Sequence, residues 1–534
     1  MPGNASGVLV VGAGPVGLTL ACELLRRGVT VRLVDKEPHA TDESRAVAVH
    51  ARTMEALRVV GVADEILDRA RALGRVTVHA GGRELAGFDL STVDSPYPFT
   101  AGLPQTATEE VLRRRLQGLG GSIDRPVTFV SLRQDEDSVT ATLATPGRTE
   151  QFRCEWLVGA DGSRSAVRAA VGARLEGSFK GERFTLADVD VEHAYDPGTM
   201  HIFAHPSGPL LLIPMSEGRA RVMAETDVPL DHQLSLEEVQ AVADARAGGI
   251  NMLRAHWLNV FEIHHAQVPT YRFGRVFLVG DAAHIHSPAG GQGMNTGMQD
   301  AFNLAWKLHY ASRGMATAAL LDSYQHERHP VAHKVIVGST ALTKLATVRR
   351  GSTQRLRSLL LPMMAGLGPV RRLVANTTEE INIAYRPSDI VRSDGRWPRR
   401  AVRPGRHAPE VGGLTIAGER RTLWEAFDRT EHTVLHLPSS ADGPEPMTAG
   451  IAAGLQQQYG PICRQLIVLP AAVPPNDAVT QVIDPGGRVA ERFGTAGRSA
   501  TFVVRPDGYI GYRTTRPTVQ GIGGYFDRIA GRAG

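Results

Sequence analysis

The stretch Gly7-Val8-Leu9-Val10-Val11-Gly12-Ala13-Gly14-Pro15-Val16-Gly17 constrains the fold of this chain more than any other. A short apolar run closed by glycine reads as a buried strand. From Val16 onward the spacing of Val16, Leu20 and Leu24 is helical, and Gly28 supplies a C-terminal stop. Residues 30–37 (TVRLVDKE) read as a second strand, ending near Asp35. Strand, turn, helix and strand within about 30 residues form the βαβ crossover of a parallel sheet. Gly12, Gly14 and Gly17 permit a tight turn and let backbone approach a pyrophosphate. The following helix N-terminus offers unpaired N–H groups to an anion, and Asp35 can accept hydrogen bonds from a ribose. A glycine-rich turn with no ligand is the plain alternative, but the strand–helix setting and the acidic residue favour dinucleotide binding. The motif does not fix which dinucleotide.

The chain as a whole has room for about three to four domains or subdomains. It has 534 residues, 42% of them hydrophobic and 21% charged, which excludes wholesale disorder. Net charge is only +4, and all but five of the 59 basic residues are arginine. That bias makes any single arginine weakly informative. No dense basic run with interleaved aromatics is present, so a nucleic-acid partner has no support. Cys22, Cys154 and Cys463 are far apart and form no CxxC, which argues against a disulfide framework or zinc site and fits a reducing cytoplasm. The uncharged stretch from Met1 to Cys22 lacks a basic start and is broken by glycines, so neither a signal peptide nor a membrane helix is expected.

Two further turns carry chemistry. Gly159-Ala160-Asp161-Gly162-Ser163 follows a strand-like segment and precedes a helical one. By itself it is most simply a helix cap made by Asp161 or Ser163. Gly280-Asp281-Ala282-Ala283-His284 ends the strand-like VFLVG and runs into Pro288-Ala289-Gly290-Gly291-Gln292-Gly293-Met294-Asn295. Clustered glycines before a helix expose N–H groups that can cradle an anionic or electron-rich ring edge. His284 and His286 could suggest a metal, but no supporting set of ligands accompanies them. From about 180 to 270 the alternating FTLADVDVE and PLLLIPM suggest an antiparallel sheet. A proline- and arginine-rich linker is expected at 387–410, including Pro387, followed by a small α/β domain.

The ordered combination GAGPVG, GADGS and GDAAH with PAGGQGMN resembles the class A FAD-dependent aromatic monooxygenases, and within them the aromatic polyketide hydroxylases. The resemblance spans essentially the whole chain. It implies an α/β fold: a Rossmann-like FAD-binding domain of the GR2, p-hydroxybenzoate hydroxylase type at 1–180 and 270–390; an inserted antiparallel substrate-binding sheet at 181–269 with about 75–100; and a thioredoxin-like domain without CxxC at 405–534. By position it implies that Gly12, Gly14, Pro15, Val16, Gly17, Asp35, Lys36, Arg45, Gln105, Leu132, Asp161, Asp281, Pro288, Gly291, Gly293, Met294 and Asn295 bind FAD. The family usually carries Glu where Asp35 stands, and the shorter acid still reaches a hydroxyl.

Arg52 is a candidate to face the flavin, against the simpler reading of a surface ion pair. Phe88, Phe203, Leu212, Pro214 and Met223 are candidate substrate contacts, against the simpler reading of sheet core. The implied reaction takes NADPH or NADH as a transient reductant and molecular oxygen as co-substrate. A flavin C4a-hydroperoxide hydroxylates a polycyclic aromatic polyketide in antibiotic biosynthesis, in a monomer or homodimer. Baeyer–Villiger insertion into a polyketide ketone is the alternative on the same scaffold. A non-oxygenating flavoprotein and a silent FAD-binding scaffold are further rivals, whereas the WxWxIP stretch typical of flavin halogenases is absent.

Overall fold

The computed structural model describes residues 7–178, 182–216, 218–285, 291–346, 367–386, 388–439, 446–475 and 477–531. The chain forms two compact units, Met1–Phe302 with Pro330–Ile381 and Asn303–His329 with Asn382–Gly534. The boundary falls within the long helices Gln292–Ser312 and Ala318–Ala346.

The first unit is built on a six-stranded sheet in the order Arg272–Phe273, Val276–Leu278, Trp156–Gly159, Val8–Val11, Val31–Val34, Ile123–Asp124. Val8–Val11 is buried throughout, as a strand covered on both faces must be. The helix Pro15–Arg26 is the crossover to Val31–Val34 on one side, and the chain later returns to pair Trp156–Gly159 on the other. Chain direction across the sheet therefore reverses at Val8–Val11, which makes a crevice at the strands' C-terminal ends. Register brings three ends level: Val11 pairs with Gly159, and Gly159 with Leu278. The three turns read from the sequence all leave this one edge.

A seven-stranded sheet supplies the other wall, in the order Ile250–Glu262, Arg183–His193, Arg219–Thr226, Leu210–Pro214, Thr199–Phe203, Arg75–Ala80, Arg83–Asp89. Both faces are apolar, but they pack differently. Phe203, Leu210, Leu212, Val222 and Ala224 form a core with Val239 and Ala243 of the helix Leu236–Arg246. That helix starts in a capping box of Ser235 and Glu238. The alternate residues Ile202, Leu211 and Met223 lie in one cross-strand row on the opposite face, with Ile213 and Arg221 as the next pair.

The second unit has an eight-stranded sheet. Its central strands run Thr480–Ile483, Cys463–Leu469, His432–Leu437, Ala500–Val504, Ile510–Thr514; the first three are parallel and the last two antiparallel. The helix Pro446–Tyr459 links His432–Leu437 to Cys463–Leu469, and the helix Val519–Ile529 follows the last strand. One core lies around Leu435, Phe493 and Phe502, another around Trp306, Tyr310 and Phe526. Among the described residues, no helix is long and apolar enough to cross a membrane.

Candidate active site

A cavity of about 1140 Å³ opens in the first unit where the level strand ends meet the seven-stranded sheet. That exceeds the ~300–1,000 Å³ usual for one small ligand. Its lining has two chemical parts. One is polar and backbone-rich, with Gly12, Gly14, Asp35, Lys36, Arg45, Gln105, Arg125, Asp161 and Asp281. The other is apolar, with Val76, Phe88, Phe184, Ile202, Leu211, Ile213 and Met223 among its members.

At the polar part the helix Pro15–Arg26 begins without a side-chain cap, so its first N–H groups are left for a ligand. The Gly14 Cα faces open space, and a side chain there would stand where a ligand could sit. Gly12 has φ +101°, and a Cβ on it would lie 2.4 Å from the Ala160 carbonyl oxygen. Gly17 serves differently: a Cβ would lie 1.9 Å from the Gly12 oxygen, so it lets helix and turn close up from behind the cavity wall. Asp35 ends its strand with Oδ2 accepting from Ala13 N at 2.7 Å and Oδ1 from Glu37 N at 2.9 Å. The first turn and the acid that would meet a ribose are thus fixed to each other.

The other two turns close on the first. Val16 packs under Gly280 and Gly297, where Cβ atoms would lie 3.0 and 2.7 Å from its side chain. Asp161 lines the cavity and also caps the helix Ala166–Ala170, accepting from Ala166 N at 2.7 Å and Val167 N at 3.1 Å. Its capping partner is Ser165, not Ser163. Arg168 ties the second and third turns, donating to Ser163 O at 2.6 Å and Ala282 O at 3.2 Å. Burial draws its pKa down, with Asp161 and Asp281 opposing. Asp281 is exposed only in the sense that it faces the cavity; the protein around it pushes its carboxyl above the usual range, and His284 opposes that. His284 itself is fully buried, its Nε2 2.7 Å from Asp300 Oδ2. Among the described residues, no cluster of His, Cys, Asp or Glu could hold a metal ion.

Gln105 lines the cavity and braces the loop at 44–46: its Oε1 accepts from Ala46 N at 3.1 Å and its amide donates to Glu109 at 2.8 Å. Burial lifts the Glu109 carboxyl. Arg45 borders the cavity and pairs with Glu43 at 2.9 Å. Gly291, Gly293 and Met294 line the cavity at the start of the helix Gln292–Ser312, and Pro288 lies outside the described residues.

Several expected contacts stand elsewhere. Asn295 is fully buried behind the wall, accepting from His50 N at 2.9 Å and donating to Ala48 O at 2.8 Å and Gly291 O at 2.7 Å. It shapes the site without lining it. Leu132 sits mid-strand opposite Ala141, off the cavity; Val127, Thr128 and Phe129 line it instead. Arg52 is buried in an ion pair with Glu55 and does not line the cavity, so it neither faces that chamber nor forms the surface pair of the simpler reading. Phe203, Leu212 and Pro214 have the strand parity that faces away, and Phe203 and Leu212 pack under the helix Leu236–Arg246. Phe88 and Met223 do line the cavity.

Two groups escaped sequence reasoning. Arg221 is buried opposite Asp188, with Nε and Nη2 at 2.7 and 2.8 Å from its carboxylate, and donates to Arg45 O at 2.8 Å. It ties the second sheet to the loop beside the polar part. Glu379 accepts from Ala51 N at 2.7 Å and from the Thr100 hydroxyl. Glu380, at φ +57°, accepts from the Thr296 hydroxyl at 2.8 Å and from the Gln299 amide. Only the arginine and glutamate themselves were visible in the sequence, without their partners.

A turn that approaches anions through backbone, an acid at the next strand end, and a wide apolar chamber in the same cavity together suit a dinucleotide and an apolar second ligand. Residues 5–339 match the family model FAD_binding_3, the FAD-binding domain, and the chain belongs to that family. It is a flavin-dependent monooxygenase of the class A type, with FAD as its cofactor. It is 36% identical over 542 residues to 6-methylpretetramide 4-monooxygenase of Streptomyces rimosus, covering 97% of this chain and 92% of that one. Anhydrotetracycline hydroxylase from Streptomyces rimosus superposes with TM-score 0.77 at 29% identity over 99% of each chain. Aklavinone-11 hydroxylase, solved with FAD and aklavinone, superposes with TM-score 0.77 at 28% identity over 99% of each chain.

Proposed function

We propose that this enzyme hydroxylates an activated ring carbon of a polycyclic aromatic polyketide, using NADPH or NADH and molecular oxygen. One observation carries the reading: the dinucleotide cradle and an apolar chamber broad enough for fused rings are parts of one cavity. Bound FAD would supply the activation of oxygen. Gly12, Gly14 and the uncapped start of the helix Pro15–Arg26 would hold its pyrophosphate, and Asp35 its ribose. Gly291 and Gly293, at the start of the helix Gln292–Ser312, would turn N–H groups toward negative charge developing beside them. Leu211, Ile213, Met223 and Phe88 would exclude water from the reacting carbon. The tetracycline- and aklavinone-type compounds named for the relatives belong to the class of substrate that fits such a chamber.

We read the second unit as thioredoxin-like. A parallel pair joined by the helix Pro446–Tyr459, then an antiparallel pair and a final helix, support that reading. Redox work by it is not part of the proposal: Cys463 is buried in a strand, and burial pushes its thiol up to about 12. Three buried free cysteines fit a reducing cytoplasm.

Stimulation of NAD(P)H oxidation by a fused-ring polyphenol, with label from oxygen gas appearing in the product, is the expected result. Consumption without label would replace the oxygenase by a reductase or oxidase.

A further inference from the structure

We propose that the helix Gly368–Thr378 is the wall that sets which ring systems enter the apolar chamber, with Val374 as its deciding residue; this rests on the hydroxylase reading above. Val370, Val374 and Thr378 recur every four residues, so they share one helix face. All three line the cavity and all are half-buried. Leu367 and Leu373, off that stripe, are 56% and 61% exposed. The helix therefore turns its cavity-side stripe toward a chamber and leaves larger apolar side chains in solvent.

The surface opposite the stripe is equally specific. Val374 packs against Ala86 and Phe88 of the strand Arg83–Asp89, a pair against which Val76 and Val78 of the strand Arg75–Ala80 also pack. Phe88, Val76 and Val78 line the cavity as well. Val374 and Phe88 thus meet across the chamber's edge, one from a helix and one from a hairpin. The remaining floor comes from a hydrogen-bonded sheet, whose strands cannot shift singly without breaking ladders.

The helix is fixed at one end. Glu379 and Glu380 just beyond it bind Ala51 N, Thr100, Thr296 and Gln299, and the Thr377 carbonyl accepts from the Gln292 amide at 3.1 Å. These partners belong to the segments that frame the polar part of the cavity. The stripe is consequently held at a set distance from the cofactor side, as a specificity wall must be. A wall beside a chamber discriminates by volume: one methylene more or less changes selectivity roughly 10–200-fold, and bulk added at Val374 takes up room that a ligand would need.

The test uses FAD-loaded enzyme and the perturbation of flavin fluorescence by added ligand, with a four-ring polyphenol and a two-ring naphthol as probes. Val374→Phe should weaken binding of the four-ring probe at least about tenfold and leave the naphthol within about twofold. FAD content should be unchanged, and Val374→Ala should admit the four-ring probe as well as or better than the parent. Leu373→Phe, on the exposed side of the same helix, should alter neither. Equal effects on both probes, or an equal effect of Leu373→Phe, would overturn the wall. If the parent enzyme binds neither aromatic probe, the hydroxylase reading fails first and the wall fails with it.

Discussion

Two groups of charged residues, one at the polar part of the cavity and one in the core of the second unit, use charge in opposite ways. In the second unit Lys307, Glu327 and Arg505 are fully buried and satisfy one another. Glu327 takes Arg505 at 2.6 and 2.9 Å, Lys307 at 2.9 Å and Ser388 at 2.7 Å, while Asp507 takes Arg505 Nε at 3.0 Å and the Trp306 indole at 3.2 Å. Burial works against the Glu327 charge, but Arg505 and Lys307 outweigh it and hold its carboxyl far below the usual range. Burial also brings Lys307 down to about 8, with Glu327 opposing. At the cavity the carboxylates of Asp35 and Asp161 are held by backbone N–H groups on one side and open to a chamber on the other. Carboxyl titration is shifted in both places, down for Glu327 by the cations of its closed network and up by burial for Glu109 and Asp281 beside the cavity, so it is the open surface that marks the site.

That contrast can be broken experimentally. Glu327→Gln should be the most damaging change, costing about 3–5 kcal/mol because it leaves buried cations short of an anion; chemical unfolding followed by tryptophan fluorescence would show it. The same glutamate sets a pH dependence. Its pKa is depressed on folding, so its stabilisation is present above its ordinary value of 4.5 and is lost as pH falls below that. The parent should lose stability through the acid range more steeply than Glu327→Gln. At the cavity, Gly17→Ala should cost about 3 kcal/mol by forcing helix and turn apart, read as loss of flavin absorbance from purified protein. Asp35→Asn keeps the shape and removes the charge; FAD affinity should fall by about 1.5 kcal/mol, measured by titration of apoprotein. Leu132→Ala should leave FAD affinity unchanged. A large effect there would return the strand Thr128–Gln134 to the site.

The three turns were legible in the sequence because each puts glycine between an apolar run and a helical one, and that pattern is local. Their convergence depends on the order of strands separated by long insertions, which no local pattern carries and which only the family resemblance implied. Side-chain parity in the second sheet was not legible. Leu210-Leu211-Leu212-Ile213-Pro214 is apolar on both faces, so nothing in it says that Leu211 faces the cavity and Leu212 the helix Leu236–Arg246. Arg168 and Arg221 were hidden by arginine abundance, and their partners lie up to 177 residues away in the chain. The stripe at Val370, Val374 and Thr378 reads like any amphipathic helix until a chamber is found beneath it.

Val11, Gly159 and Leu278 end at one level, and the chemistry resides in the turns beyond them. Frame and outfit can therefore change independently. Lengthening a connection past that rim adds reach without disturbing the pleated platform beneath, whereas adding a residue inside any of the three strands would displace its turn from the other two. New activities on this architecture are accordingly to be sought by redrawing the rim and the chamber, leaving the platform alone.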